Sequence, residues 1–384
     1  MFSLKSKISL AQAALFQNKP VYVQFYVTAR CNLTCKQCNI IYANSDLKEV
    51  TLDEVKIIAD NFVRIGVSMV LLTGGEPFAR NDLHLIIQSF ETRGIHVRMQ
   101  TNGFASKERI HQVIEYGGKD ISISLDSLTS KTQDLINGDF NKSWNKAIET
   151  ISHFTEYLPP KNSFASLGCV LMRENLNDII DVIKFGSAIS WYTSLVPIHT
   201  TTHDKPMGFR SFDTSQDFKS DEYKKVDSVI EKVRVMKKEG YLLYDSDQYL
   251  DDIKKFTKGE ETSWRDKNNG VCDSPSLYFA LLPNGEFAPC CDHRLQNKYY
   301  AYSNDFVDNF ENKIIYKDTF EKVKSCSGCM YGSYPEMTIS MRYLKPKLER
   351  FKTFISNPIK KNWPLKINDI YSICEKIDQE AKSD

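Results

Sequence analysis

No run in the 384 residues reaches the ~18 consecutive apolar residues that a membrane span requires, so a chain without membrane-crossing helices is expected. Charge of one sign is also missing. The 50 Lys and Arg meet 49 Asp and Glu, so no global field attracts nucleic acid, an anionic membrane or a strongly charged substrate. Met1–Pro20 lacks the unbroken apolar stretch of a signal peptide, because Gln12 and Gln17 interrupt it and no small-residue cleavage site follows. Internal repeats and low-complexity tracts are absent. A disulfide framework is absent too: ten cysteines at scattered spacings in a chain this long read as a reducing compartment, and the cytoplasm is the expected location. What the chain does have is apolar content, 41%, enough to support one large domain and a smaller one. A small-molecule partner is expected over a macromolecular surface.

Between Val21 and His199, short β-branched or aromatic runs alternate with amphipathic stretches, the pattern of βα units building a parallel sheet. Six strands are predicted near Val21–Val27, Met69–Leu72, His96–Gln100, Asp120–Leu125, Phe164–Leu171 and Ser194–Ile198. Thr51 with Glu54 three residues on forms a capping box, and Val55, Ile58, Phe62 and Ile65 then fall on one helix face. Asp82–Arg93, Ser106–Tyr116, Ser143–Tyr157 and Leu176–Ala188 supply later helices. The expected organisation is a lead-in over 1–20, a βα region over 21–200, a charged helical connector over 201–270, a small domain over 271–335 and a basic helical tail over 336–384. Leu277–Leu282, Pro283-Asn284-Gly285 and Glu286–Ala288 read as a hairpin, with Asn-Gly supplying positive φ angles. In the tail, Leu348, Phe351 and Ile355 predict a helix that packs its apolar face and leaves its lysines in water.

Cys31, Cys35 and Cys38 follow the first strand, so three thiolates gather in one loop at a strand's C-terminal end, where barrel-type sheets keep their chemistry. Three thiolates leave one iron of a 4Fe–4S cluster open. Zinc also takes thiolates, but it asks for four ligands and no fourth Cys or His is close in sequence. The spacing and position of these cysteines resemble the radical S-adenosylmethionine superfamily. That resemblance implies a partial (β/α)6 barrel, α/β in class, whose open iron chelates S-adenosylmethionine and whose chemistry releases a 5′-deoxyadenosyl radical. An external one-electron donor such as flavodoxin or ferredoxin follows from it. Gly74, Gly75, Glu76 and Pro77 resemble the family's segment for the methionine ammonium. Asn102, Ser124 and Asp126 stand where the family offers polar atoms to the cosubstrate, and Ser124 and Asp126 share a strand face. Two departures stand out. Gln37 occupies the position where many relatives pack an aromatic on adenine, and Asn137 stands in the stretch where many carry a carboxylate-binding arginine, with Arg173 as a substitute candidate.

Toward the C-terminus, Cys272, Gly285 and Cys290 are spaced as at the opening of the family's SPASM extension, and Cys326 and Cys329 arrive later. A full extension needs more cysteines, yet Pro335 stands where another is expected and only Cys374 remains. The shorter "twitch" form is therefore implied: a β-hairpin plus helix domain holding a second 4Fe–4S cluster on Cys272, Cys290, Cys326 and Cys329, with Cys291 as an alternative to Cys290 and zinc as the rival occupant. Cys169 reads as a small buried thiol, and neither it nor Cys374 is counted as a ligand.

Three function classes compete: an enzyme acting on a small molecule by dehydrogenation, decarboxylation, epimerisation or rearrangement, a peptide or protein maturase, and a non-catalytic metal protein. Gly74–Pro77 argue against the last. Only Met1–Pro20 precede the first strand, less than the leader-recognition domain of many maturases, so a small molecule is expected. His199 and His203 are candidates for substrate binding or proton transfer at the barrel mouth. Asp273, Asp292 and His293 lie beside the C-terminal cysteines.

Overall fold

The computed structural model describes residues 19–201, 210–265, 272–324, 326, 328–355 and 362–383. Six parallel strands follow the predicted order: β1 (Tyr22–Thr28), β2 (Met69–Gly74), β3 (His96–Thr101), β4 (Asp120–Ser124), β5 (Phe164–Leu171) and β6 (Tyr192–Pro197). Period-two alternation sorts each strand. Val23, Phe25, Val27, Val70, Leu72, Ile121, Ile123, Leu167 and Cys169 are all but sealed from solvent in one apolar core with Val55, Ile58 and Phe62 of helix Leu52–Ile65. Gln24, Leu71, Gln100, Ser122, Gly168 and Ser194 turn the other way and line a lumen. Thr51 caps helix Leu52–Ile65 with the expected reciprocal bonds to Glu54.

The sheet does not stop at β1. Strand β7 (Tyr278–Leu281) pairs parallel with β1, Tyr22 opposite Tyr278, and β8 (Phe287–Ala288) pairs antiparallel with β7, giving the order β6-β5-β4-β3-β2-β1-β7-β8. The C-terminal hairpin therefore continues the barrel sheet. Its turn differs from the expectation: only Gly285 takes positive φ, +76°, because Pro283-Asn284-Gly285 form a three-residue loop closed by Leu282 N–H to Glu286 O (2.9 Å) instead of a two-residue one.

The first and last strands of the six do not pair, and helix Ser333–Arg342 lies between them. Tyr334 stacks on Tyr278 (4.7 Å), while Gly332 faces Val196 of β6 so closely that a Cβ would lie 3.0 Å from Cγ2. Met337, Ser340 and Met341 thus form one wall of the lumen. Helix Leu344–Ile355 forms as predicted but is turned the opposite way: Leu348 and Phe351 are 58% and 63% exposed. Ion pairs on its other face, Arg350 with Glu336 (3.2 Å) and Glu349 with Lys237 (2.8 Å), fix that orientation. Among the described residues no helix is long and apolar enough to cross a membrane.

Candidate functional site

Strand β1 delivers the first cysteines through Thr28-Ala29-Arg30, and this stem is clamped. Arg30 makes a bidentate pair with Glu49 (2.9 Å at both oxygens), and the Thr28 hydroxyl donates to the same carboxylate. Against the stem lie Gly74, at φ +134°, and Gly75. Added Cβ atoms would stand 2.2 Å from Thr28 O and 2.2 Å from Arg30 O, so only glycine permits the approach. Gly75 N–H to Thr28 O and Glu76 N–H to Arg30 O, both 2.8 Å, stitch the two loops together.

A second segment holds the loop from the far side. Lys36 N–H donates to Ile136 O (3.0 Å), the Cys35 thiol reaches Asn137 Oδ1 (3.5 Å), and Gly138, at φ +84°, lies against Thr34 where a Cβ would meet Oγ1 at 2.4 Å. Held this way, the sulfurs of Cys31, Cys35 and Cys38 come within electrostatic reach of one another. Burial pushes all three thiols up, Cys38 to about 12, with Leu33 N–H to Cys31 Sγ (3.4 Å) opposing at Cys31. A half-buried thiol with no cation beside it keeps its proton, so these groups become thiolates when positive metal supplies the missing counter-charge.

The predicted cosubstrate residues cluster around this loop. Glu76 is buried, which pushes it up to about 7, and three donors oppose the shift: Asn102 N–H (2.8 Å), Phe78 N–H (3.0 Å) and the Thr101 hydroxyl (2.8 Å). In this arrangement Glu76 ties the glycine loop to the end of β3, with Pro77 opening the short 3-10 turn Pro77–Ala79. Asn102 Nδ2 reaches Cys31 Sγ (3.6 Å) and Asn32 Oδ1 (2.9 Å). Ser124 is half-buried and Asp126 buried, both following the inward row of β4. Burial pushes Asp126 up to about 7, opposed by Val170 N–H at 2.7 Å. Gln37 Nε2 approaches the other Asp126 oxygen (3.4 Å), so the residue before the third cysteine bridges the loop to β4. Arg173 is not at this site; it pairs with Glu222 (2.9 Å) and donates to Ser215 O.

The C-terminal cysteines also come together. Cys272 lies before β7 and Cys290 after β8. Electrostatic coupling joins Cys272 to Cys290 and Cys326, and Cys329 to Cys290 and Cys326. Burial pushes Cys272 up to about 12 and raises Cys326 and Cys329. Cys290 alone shifts down, chiefly because the Cys291 thiol donates to it. Cys291 itself is sealed in an apolar cluster with Tyr26, Tyr331 and Tyr334. Among the described residues no three Cys, His, Asp or Glu side chains draw together closely enough to hold a single metal ion.

Between the two sets lies the lumen, a cavity of about 260 Å³ reaching from Gln37 past Gln100, Ser122 and Ser194 to Tyr22 and Arg98. His199 lines it but is fully engaged: Nε2 accepts from Met330 N–H (2.8 Å) and the other ring nitrogen bonds Pro197 O. Its ring stacks on Tyr331 (4.0 Å), and burial beside Arg210 keeps it neutral. His199 therefore fastens the Cys329 loop to β6. His203 lies outside the described residues.

Sequence reading missed Glu49, Arg210 and Tyr331. Arg210 pairs with Asp292 (2.8 Å), which also accepts from the Tyr331 hydroxyl (3.0 Å), and Arg210 O accepts from Asn39 next to Cys38. These contacts span 39 to 171 residues in sequence and carry no local signature. Of the three flanking residues noted beforehand, Asp292 joins this network, Asp273 pairs with Arg342 (2.9 Å), and His293 is shifted down by burial.

Residues 25–186 match the sequence profile of the Radical SAM superfamily. The chain is similar to GTP 3′,8-cyclase of Tolumonas auensis, 32% identical over 167 residues, 42% of this chain and 48% of that one. It is also similar to PqqA peptide cyclase of Bradyrhizobium diazoefficiens, 28% identical over 43% of each chain. The matches thus span about half or less of these curated relatives. In fold it resembles Streptococcus suis SuiB, solved with the precursor peptide SuiA, at TM-score 0.59 and 17% identity over 88% of this chain and 77% of that one.

Proposed function

From the premise that this chain is a radical SAM enzyme, whose family implies a 4Fe–4S cluster and S-adenosylmethionine, we propose that it abstracts hydrogen from a small molecule held in the lumen. Cys31, Cys35 and Cys38 hold the cluster on this reading, and the fit rests on three half-buried thiols brought together by a loop packed on both flanks with glycine contacts. A bound cluster of this kind supplies the electron that cleaves the sulfonium of S-adenosylmethionine. The chain's part is placement. Gly74–Pro77 present backbone groups to the methionine end, Asn102, Ser124 and Asp126 offer polar atoms along the β3 and β4 ends, and the packed lumen keeps water from the radical.

The observation that carries the small-molecule reading is the cavity. Helix Ser333–Arg342 fills the open side of the barrel and leaves about 260 Å³ whose wall is mainly apolar, with Met69, Leu71, Val196 and Met337, and carries a few polar groups from Gln100, Ser122, Ser194 and Arg98, space for a compact ligand. The peptide reading is favoured by one observation, the likeness to a peptide cyclase. Cys272, Cys290, Cys326 and Cys329 hold a second, fully ligated cluster in this proposal, suited to electron transfer or to bracing the lumen wall. A flavodoxin or ferredoxin provides the electron, and the cytoplasm is the setting.

Anaerobically reconstituted protein is expected to carry about eight irons and to release 5′-deoxyadenosine on reduction, while the Cys31, Cys35 and Cys38→Ala triple variant keeps about four and releases none. A triple variant with its full iron content would remove the assignment of the first site. Four irons plus one zinc in the parent protein would replace the second cluster with a zinc site.

A further inference from the structure

Helix Leu344–Ile355 departs from the ordinary amphipathic surface helix. Leu344, Leu348 and Phe351, spaced one turn and two turns apart on one face, are 71%, 58% and 63% exposed. Other exposed large apolar residues, such as Ile57, Phe140 and Phe320, stand on separate elements, where isolated exposure is common. The stripe cannot turn inward cheaply. Arg350, on the opposite face, pairs with Glu336 and donates to Tyr244 O (3.2 Å) while lying over the Tyr244 ring (3.8 Å); Glu349 accepts from Lys237 and from Asp247 N–H (3.1 Å). Rolling the helix to bury its leucines would strand these half-buried charges.

Around the stripe the charge is basic. The flanks carry Lys345, Lys347 and Lys352, while Arg350 and Glu349 are engaged on the inner face. Lys345 is 73% exposed in its side chain and reaches Asp247 (3.0 Å) and Glu349 (3.8 Å) across open surface, pairs that are weak in water and that a lipid phosphate can replace at little cost. A single convex helix with an apolar ridge and flanking lysines is shaped for the boundary between lipid headgroups and acyl chains, not for a knob in a protein groove. Its position agrees. Tyr244 N–H bonds Thr193 O at the N-terminal end of β6, whereas the cysteine loop leaves the C-terminal end of β1, so this helix occupies the far end of the barrel.

We propose that helix Leu344–Ile355 is an in-plane anchor that seats the protein on an anionic lipid bilayer, Leu344, Leu348 and Phe351 entering the interface and the lysines meeting the headgroups. The full chain is mixed with vesicles of phosphatidylcholine alone or with a phosphatidylglycerol fraction, and sedimented. Binding is expected to the anionic vesicles, to weaken with salt, and to fall at least tenfold in L344S/L348S/F351S and several-fold in K345E/K352E. Unchanged 5′-deoxyadenosine release in solution by the serine variant shows that it is folded; if it is not, the charge variant alone decides. Absence of parent binding, equal binding by the variants, or equal binding to neutral vesicles overturns the proposal. So does a parent dimer that the serine variant converts to monomer without any lipid binding, which would make the stripe a self-association face.

Discussion

The loop Cys31–Cys38 and the set Cys272, Cys290, Cys326 and Cys329 are built by different means. Eight consecutive residues contain the first, and its shape comes from backbone-to-backbone packing of Gly74, Gly75 and Gly138 on Thr28–Arg30 and Thr34. The second gathers from 58 residues of chain, and its shape comes from side chains: the Arg210–Asp292–Tyr331 network, His199 on Met330 N–H, and Arg265 on Cys326 O (3.0 Å). A site held by backbone is rigid but fails completely when one Cβ intrudes. A site held by side chains should lose its members one at a time.

The largest expected effect tests the first half of that contrast. Gly75→Val puts a branched side chain where Arg30 O already stands 2.2 Å from the ideal Cβ, one residue before Cys31. Iron at the first site and 5′-deoxyadenosine release should both fall below about a tenth of the parent value, read by iron analysis and by product quantification. Retention of full cluster content with only cleavage lost would show that the glycine loop acts on cosubstrate alone.

A smaller effect is expected at the second set. Cys326→Ala should lose about half the iron, keep slow cleavage of S-adenosylmethionine without substrate, and lose product formation far more than cleavage. Cys291→Ala should stay close to the parent, because its thiol lies in an apolar cluster and makes only weak sulfur contacts, to Cys290 and to Asp292 Oδ1 (3.8 Å). The reverse pattern between Cys290→Ala and Cys291→Ala would exchange their roles. Full iron and full turnover in Cys326→Ala would make residues 272–329 a structural appendage.

The smallest effect sharpens the comparison through pH. Glu336, in the helix that closes the lumen, accepts from Ser246 N–H (3.0 Å) and Oγ (3.1 Å) and lies 3.2 Å from Arg350; burial outweighs the opposing pull of that guanidinium and pushes Glu336 from 4.5 up to about 7. The folded state therefore holds this proton more tightly than the unfolded one. Its contribution is complete below about 4.5 and is lost as pH rises through about 7; at about 1.4 kcal/mol per pH unit that interval corresponds to roughly 3 kcal/mol. Glu336→Gln should flatten the fall in melting temperature between about pH 5 and pH 7.5. Parallel curves for the two proteins would assign the titration to another group.

The sequence by itself determined the six βα units, the capping box at Thr51, the three-cysteine loop and its radical SAM resemblance, because each rests on contacts or periodicities a few residues apart. The shared face of Ser124 and Asp126 was legible for the same reason, the strand's period of two. Only the tertiary structure decided the rest. Pairing of β7 with β1 joins residues more than 250 positions apart, and no local propensity selects that edge over any other. His199 looked like a proton carrier at a barrel mouth, yet Met330 N–H occupies its acceptor nitrogen. Helix Leu344–Ile355 has an apolar stripe that by pattern alone belongs inside; the half-buried pairs Arg350–Glu336 and Glu349–Lys237 turn it outward, since rolling the helix would leave these charges without partners. Amphipathic spacing tells which residues share a face, and the partners available across the fold tell which face is buried.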